Sequence, residues 1–152
     1  MTLVVRRAAA EEIFPLRHAV LRPGRPVSYS VYSEDEGAVH VGAWDDDMLV
    51  GCATVFPQAW PGSDQAPAEP HAWRLRGMAV DPSQQGTGVG RLVLAQGVVA
   101  ARDGGAPLLW ANARTSALGF YERMGWRVVG DEFIASDSNL PHKPMLIAIS
   151  PG

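Results

Sequence analysis

Short apolar stretches separated by turn-forming residues run through the whole chain, and their lengths are typical of β-strands. They predict seven strands, at residues 3–6, 38–44, 48–56, 75–80, 107–111, 126–129 and 145–149. The second and third strands are separated only by Asp45, Asp46 and Asp47, which form a compact turn. This arrangement predicts an antiparallel hairpin.

Apolar residues at helical spacing predict three helices, over residues 8–21, 88–102 and 115–124. Arg17 lies among the apolar positions of the first helix, and Pro15 marks either a helix start or a kink. The second helix is predicted to place four apolar side chains on one face: Val89, Leu92, Val93 and Val99.

Three irregular segments, at residues 22–36, 57–70 and 131–143, connect these elements. The second is longer than a simple connection needs, and such loops are usually functional or mobile. The third irregular segment can begin with a short extended stretch. The order of strands and helices predicts a mixed α/β layer fold, and the length suits a single domain over residues 1–152.

Composition narrows the class of protein. Hydrophobic residues make up 47% of the chain and charged residues 19%, which is typical of a globular protein. The net charge of -3 argues against nucleic acid as a partner, because phosphate backbones attract a basic face. No apolar run approaches the roughly 20 residues of a membrane span, and no signal pattern predicts export.

The single cysteine, Cys52, lies mid-strand among apolar neighbours, where a small core residue is expected. One cysteine cannot form an internal disulfide, which fits a reducing cytoplasm. No group of His, Asp or Glu has the spacing of metal ligands, so we expect no metal.

The candidate chemistry begins with a glycine-rich loop between the strand at residues 75–80 and the second helix. Gly86, Gly88 and Gly90 carry no Cβ, so a ligand can approach the backbone closely. The unpaired amides and the dipole of a helix N-terminus favour a negative group there. The loop therefore predicts a phosphate-binding site.

Two common phosphate loops do not fit this sequence. A dinucleotide-binding fingerprint needs Gly-x-Gly-x-x-Gly, but Arg91 stands at its sixth position. A P-loop needs a hydroxyl after Gly-Lys, and the chain has Gly90, Arg91 and a leucine. The spacing of Gln85, Gly88 and Gly90, Gln-x-x-Gly-x-Gly, resembles instead the pyrophosphate loop of the GNAT acyltransferases.

A second stretch strengthens this resemblance. Asn112 follows a predicted strand, and Phe120 and Tyr121 lie in the next helix, ahead of Gly125 and Trp126. This is similar to the second GNAT signature, and the two signatures together span residues 74–129. The C-terminal segment, residues 131–145, resembles the tail of small bacterial ElaA-type members. The resemblance implies the GNAT fold: a mostly antiparallel central sheet with a splayed parallel pair, flanked by helices.

The GNAT resemblance implies acetyl-CoA, or another acyl-CoA, as donor and an amine as acceptor, joined by direct attack in a ternary complex. Pantetheine would pair with Met78, Ala79 and Val80, and the backbone amide of Met78 would bind the developing oxyanion. The pyrophosphate would be held by the backbone amides of the loop, with Arg91 as a direct charge partner. The loop residues concerned are Gln85, Gly86, Thr87, Gly88, Val89, Gly90 and Arg91.

The resemblance also assigns roles around the leaving group. Tyr121 matches the general acid that protonates the sulfur of CoA. Asn112 matches a residue that contacts pantetheine or a bridging water, and Phe120 is placed with it among the cofactor contacts. Dimers are common in this superfamily, so a homodimer is compatible with the resemblance.

The acceptor half of the site is open. Relatives often use a strand Glu as general base, but Arg74 and Arg76 stand at those positions. The remaining candidates for the base are Glu69, His71, Glu132 and His142, of which Glu132 and His142 are expected on the acceptor side. The missing carboxylate leaves an alternative, a non-catalytic acyl-CoA-binding regulatory or interaction module with a GNAT fold.

Overall fold

The computed structural model describes residues 2–151. Its strands are β1 Leu3–Ala8, β2 Val39–Asp45, β3 Met48–Pro57, β4 Trp73–Val80, β5 Leu108–Arg114, β6 Arg127–Val128, β7 Phe133–Ile134 and β8 Pro141–Ala148. Its α-helices are α1 Ala10–Leu21, α2 Val89–Asp103 and α3 Leu118–Arg123. Short 3-10 helices cover Val27–Ser30, Ser33–Asp35, Pro82–Gln84 and Thr115–Ala117.

The strands form one sheet in the order β1-β2-β3-β4-β5-β8-β6, with β7 paired to β8. Strands β1 and β2, β2 and β3, and β5 and β8 pair antiparallel. Strands β4 and β5 are the parallel pair, joined where Trp73 meets Leu109 and Arg74 meets Trp110. The predicted hairpin and the predicted fold class, a mostly antiparallel mixed sheet with one parallel pair and flanking helices, are confirmed.

The chain divides into two compact units. The first unit holds the residues up to Phe56 together with Leu75–Ala100, and the second holds Pro57–Arg74 together with the residues from Ala101 onward. The first has a core cluster of four buried residues: Ile13, Leu16, Cys52 and Ala79. The second has a core cluster of six: Trp60, Ala66, Ala72, Trp110, Val129 and Leu146.

Helix α1 begins at Ala10 and continues through Pro15, so Pro15 does not mark the helix start. Helix α2 buries Val89 and Val93 as predicted, but Leu92 is 46% exposed, and the prediction that it belongs to the buried face is wrong. The buried stripe follows a spacing of four from Val89 to Val93, and Leu92 lies at its edge. Leu94 is fully buried instead.

The long loop at residues 57–70 is a folded part of the second unit. Bridges join Trp60 to Glu69 and Ser63 to Ala66. The Trp60 side chain is 4% exposed, and its ring centroid lies 5.4 Å from that of Trp110. The length of this loop therefore has a structural reason: the loop folds back on itself and contributes an aromatic residue to the core.

The last strand is longer than predicted. Strand β8 begins at Pro141 rather than at residue 145, so the last irregular segment ends at residue 140. Two prolines concealed this start, because proline lacks the donor of a strand ladder. Strand β5 likewise runs on to Arg114, which places Asn112 inside the strand rather than at its end. The third helix divides into the 3-10 turn Thr115–Ala117 and α3.

Among the described residues, no helix combines the length and the apolar character that crossing a bilayer requires.

Candidate functional site

The glycine-rich loop of the first unit has the open backbone that the sequence predicts. Gly86 and Gly88 adopt φ angles of 82° and 92°, a conformation that residues with a Cβ rarely adopt. A Cβ built on either glycine would meet no other atom within 4 Å. The left-handed backbone favours glycine at both positions, and the open space beside them leaves room for a ligand to approach the backbone closely.

Helix α2 begins directly after this loop. Its first bond runs from the amide of Leu92 to the carbonyl of Gly88, at 3.2 Å. The amides of Val89, Gly90 and Arg91 precede that bond, and such N-terminal amides have no partner within a helix. The helix has 15 residues, so its dipole adds a positive potential at this end. An anionic group fits here.

At the start of α2, one side chain is packed in the core and another is exposed to solvent. Val89 is 1% exposed, and its Cγ1 would lie 2.8 Å from a Cβ built on Gly51. Val89 can therefore offer a ligand only its backbone. Arg91 is exposed on the first turn, as a direct charge partner requires.

The turn before the loop is held by its own side chains. The Asp81 carboxylate accepts hydrogen bonds from the Ser83 amide at 3.0 Å and the Ser83 hydroxyl at 2.7 Å. The bond from the Ser83 hydroxyl, followed by that from its amide, lowers the pKa of Asp81 below its usual value. Thr87 closes the next turn, since its hydroxyl donates to the Gln84 carbonyl at 2.5 Å. These bonds fix the path from β4 into the glycine loop.

Strand β4 leads into that turn through the predicted pantetheine positions. Ala79 is 3% exposed, whereas Met78 and Val80 are partly buried. The side-chain amide of Gln85 donates to the Val80 carbonyl at 3.4 Å. Gly77, just before Met78, has a φ of 67° in the middle of the strand.

A fully buried arginine lies beside this part of β4, at Gly77. Arg17 is 0% exposed and makes two bonds to the Asp35 carboxylate, at 2.8 and 2.9 Å. It also donates to the Ser30 carbonyl at 2.9 Å and to the Thr54 hydroxyl at 2.6 Å. A Cβ on Gly77 would lie 2.8 Å from Arg17 Nε. The one sequence signal was an arginine among the apolar positions of α1.

A second arginine lies on β4 itself. Arg76 Nη1 donates to Glu34 Oε1 at 2.8 Å, and the guanidinium lies 3.8 Å from the centre of the Tyr32 ring. Glu34 belongs to the acidic stretch before β2, so this ion pair places a carboxylate beside β4, a strand that carries none of its own. These residues are 42 positions apart, and no sequence motif links them.

Cys52 is fully buried in the first unit, and its thiol donates to the Gly77 carbonyl over 3.7 Å. Burial raises the pKa of this thiol to about 12. A thiol that stays protonated is a poor nucleophile, so Cys52 is a core residue, as predicted.

The second unit carries the predicted general acid. Tyr121 is 5% exposed, and its ring meets those of Phe120 and Trp126 edge-on, with centroids 5.3 and 5.2 Å away. Burial raises the pKa of the Tyr121 hydroxyl above its ordinary value. The hydroxyl therefore keeps its proton throughout the neutral range, which a general acid must do.

Asn112 and Phe120 are both partly buried. Asn112 is paired with Pro144 across the β5–β8 ladder. The structure thus keeps both residues on ordered elements of the second unit, while their contact with a cofactor stays a prediction.

The base candidates lie in different surroundings. Glu132 and His71 are exposed, and the Glu69 carboxylate accepts a hydrogen bond from the His71 amide at 2.9 Å. His142 was expected in a loop, but it lies in β8 and is 7% exposed, so that placement is wrong. Its Nδ1 donates to the Leu140 carbonyl at 2.8 Å.

No group of three or more His, Cys, Asp or Glu side chains within residues 2–151 is arranged to hold a metal ion.

Comparison with known proteins identifies the family. The Acetyltransferase (GNAT) family profile matches residues 8–126. An uncharacterized N-acetyltransferase of Bacillus subtilis, YitI, is 31% identical over 133 residues, which are 86% of this chain and 87% of that protein. The chain therefore belongs to the GNAT acetyltransferase family.

Solved structures agree on the fold. The crystal structure of Escherichia coli ElaA superposes with a TM-score of 0.74 at 16% identity, covering 95% of this chain and 99% of that one. The structure of yncA from Salmonella typhimurium, solved with its cofactor acetyl-CoA, gives a TM-score of 0.69 at 16% identity, covering 100% and 96%. The GNAT superfamily assignment made from the two signatures is confirmed.

Proposed function

We propose that the protein transfers the acetyl group of acetyl-CoA to a primary amine, by direct attack in a ternary complex and without a metal. Family membership supports acetyl transfer in general. The observation that carries the proposal for this chain is the open glycine loop, where Gly86 and Gly88 leave room for a ligand directly before the α2 amides.

The loop suits the pyrophosphate of CoA. The amides that precede the first α2 bond, together with the helix dipole, would bind its oxygens, and Arg91 would add a charge-assisted bond. Pantetheine would pair with the backbone of Met78, Ala79 and Val80. We assign further cofactor contacts to Asn112 and Phe120.

The reaction needs one bond formed and one broken. The lone pair of a neutral amine attacks the thioester carbon, and the new C–N bond places negative charge on the carbonyl oxygen. The Met78 amide would bind that oxyanion. Collapse breaks the C–S bond, Tyr121 gives its proton to the leaving sulfur, and the nitrogen releases its extra proton to solvent. The products are free CoA and the N-acetylated amine, and Tyr121 regains a proton from solvent.

The attacking amine must be neutral, and its chemical type decides how much help it needs. The α-amino group at the N-terminus of a peptide has a pKa of about 7.7 to 8.0, whereas a lysine amine has about 10.4. A peptide N-terminus would therefore react near neutral pH with little assistance. This matters because Arg74 and Arg76, and not a carboxylate, stand on β4.

Calorimetric titration with acetyl-CoA tests the cofactor half of the proposal. We expect saturable binding, and a higher melting temperature at excess acetyl-CoA, because a ligand that binds only the folded state stabilises it. Absence of both effects would contradict the proposal. Binding without transfer to any amine would contradict catalysis and favour a binding module.

A further inference from the structure

We propose that Tyr32, Glu34 and Arg76, here called the Arg76 cluster, form the acceptor subsite, and that it takes an amine bearing a carboxylate, that is, an amino acid. The inference rests on the proposed function. It assigns the carboxylate of the acceptor to the Arg76 guanidinium, which leaves the amine to face the reacting carbon.

The guanidinium of Arg76 is held in place from two sides. Glu34 accepts its hydrogen bond at 2.8 Å, and the Tyr32 ring lies 3.8 Å away on its face. The Arg76 and Glu34 side chains are nevertheless 24% and 26% exposed. A guanidinium that is both oriented and accessible loses little conformational freedom when it binds a planar carboxylate in a bidentate manner.

The cluster lies beside the proposed oxyanion donor. Tyr32 Cε2 is 3.3 Å from the position that a Cβ on Gly77 would occupy. Met78 follows Gly77 directly, and consecutive Cα atoms are about 3.8 Å apart. The Tyr32 ring therefore packs against the Arg76 guanidinium and borders the open side of Gly77, immediately before the amide that would bind the oxyanion.

Three arginine charges lie around Tyr32. Burial raises the pKa of the Tyr32 hydroxyl, while the charges of Arg17, Arg76 and Arg22 act to lower it and that of Asp35 acts to raise it. Arg17 Nε is buried and has no acceptor within the described residues. A buried donor without a partner calls for an explanation such as strain or a missing ligand, and this one lies next to Gly77.

The charges of Arg76 and Glu34 also decide which class of acceptor fits the cluster. A carboxylate carries one negative charge and matches the flat fork of a guanidinium. A phosphate monoester carries about two, so the neighbouring Glu34 would repel it more strongly. A polyamine would place its second ammonium among the arginines. An amino acid carries a single carboxylate for the guanidinium and needs no second ammonium among the arginines, so it is the acceptor class that fits the cluster.

The test uses acetyl-CoA with matched acceptors: L-phenylalanine against 2-phenylethylamine, and L-lysine against cadaverine. We expect kcat/KM to favour the carboxylate member at least about tenfold, the size of a charge-assisted hydrogen bond. Arg76→Gln should erase this preference, mainly through KM, and leave acetyl-CoA affinity unchanged. Arg76→Lys keeps the charge but loses the fork, and should give an intermediate preference.

Arg74→Gln is the control, because Arg74 lies on the same strand but bonds Gln58 and contacts Trp110. It should retain the carboxylate preference. Equal rates for the members of each pair, preference for cadaverine, or equal effects of Arg74→Gln and Arg76→Gln would overturn the subsite while leaving acetyl transfer intact. If acetyl-CoA binds but no amine is acetylated, the proposed function fails and the subsite with it.

Discussion

Substitution by phenylalanine removes the hydroxyl of Tyr121 and keeps the packing of its ring. In Tyr121→Phe the ring still meets Phe120 and Trp126, so we expect little loss of stability. Without a proton for the leaving sulfur, kcat should fall about 10²-fold or more, whereas the Kd for acetyl-CoA should change far less. Steady-state rates and calorimetry on the same preparation measure the two effects.

Tyr29→Phe provides the matched control, since Tyr29 is 41% exposed in the first unit and has no role in the proposed reaction. Its kcat should equal that of the wild type. If Tyr121→Phe also keeps full kcat, Tyr121 is not the general acid.

Cys52 gives a pH dependence of stability with a defined sign. In the unfolded chain its thiol ionises near pH 9, while in the folded protein the pKa is about 12. Above pH 9 the unfolded state therefore holds fewer protons than the folded state, and stability falls as pH rises toward 12. Between pH 8 and pH 10 this thiol should remove about 1.4 kcal/mol from the free energy of unfolding.

Urea denaturation of wild type and Cys52→Ala at the two pH values measures this contribution. The variant retains Tyr32 and Tyr121, whose pKa values burial also raises, so the difference between the proteins isolates the thiol. An equal loss of stability in both proteins would contradict the assignment.

At the level of elements, the buried ion pair of Arg17 and Asp35 joins helix α1 to the segment before β2. Arg17→Met leaves the Asp35 carboxylate buried without its partner, and removing one member of a buried pair typically costs about 3–5 kcal/mol. Arg6→Met is the control, because the Arg6–Glu12 pair is exposed and should contribute little. Denaturant midpoints compare them, and similar losses would contradict a structural role for the buried pair.

The glycine loop can be tested with a control of matched backbone. Gly88 and Gly105 have φ angles of 92° and 87°, and a Cβ on either meets no atom within 4 Å. Alanine at either position should cost a similar amount, about 1–2 kcal/mol, from the left-handed backbone. Only Gly88→Ala should weaken acetyl-CoA binding, because only there would the Cβ face the pyrophosphate. Equal affinities in the two variants would contradict the loop assignment.

Most elements could be predicted because local pattern determines them. The β2–β3 hairpin follows from two apolar runs and a short turn, and α2 follows from its apolar spacing. The start of β8 could not be predicted, since Pro141 and Pro144 do not resemble strand residues and pair only because β5 lies alongside. Tertiary context also decides why Leu92 is exposed and Leu94 buried.

On the scale of the whole molecule, the two halves of the candidate site differed in how far they could be predicted. The proposed CoA positions on β4 and its loop lie in one stretch, so their spacing carries the signal. The Arg76 cluster joins Glu34 to Arg76 across 42 positions, and the Arg17–Asp35 pair spans 18. Only the folded structure brings these residues together, and no local sequence pattern predicts the pairs.

Amine-dependent release of CoA is the direct measure of acetyl transfer by this protein. Protein and acetyl-CoA are incubated with and without a panel of amino acids and simple amines, while free thiol is titrated and N-acetylated product is identified by mass spectrometry. We predict that thiol and acetylated amine appear in equal amounts, and only when an amine is present. Binding of acetyl-CoA with no amine-dependent thiol release, across the whole panel, would show that the protein does not transfer acetyl groups to amines.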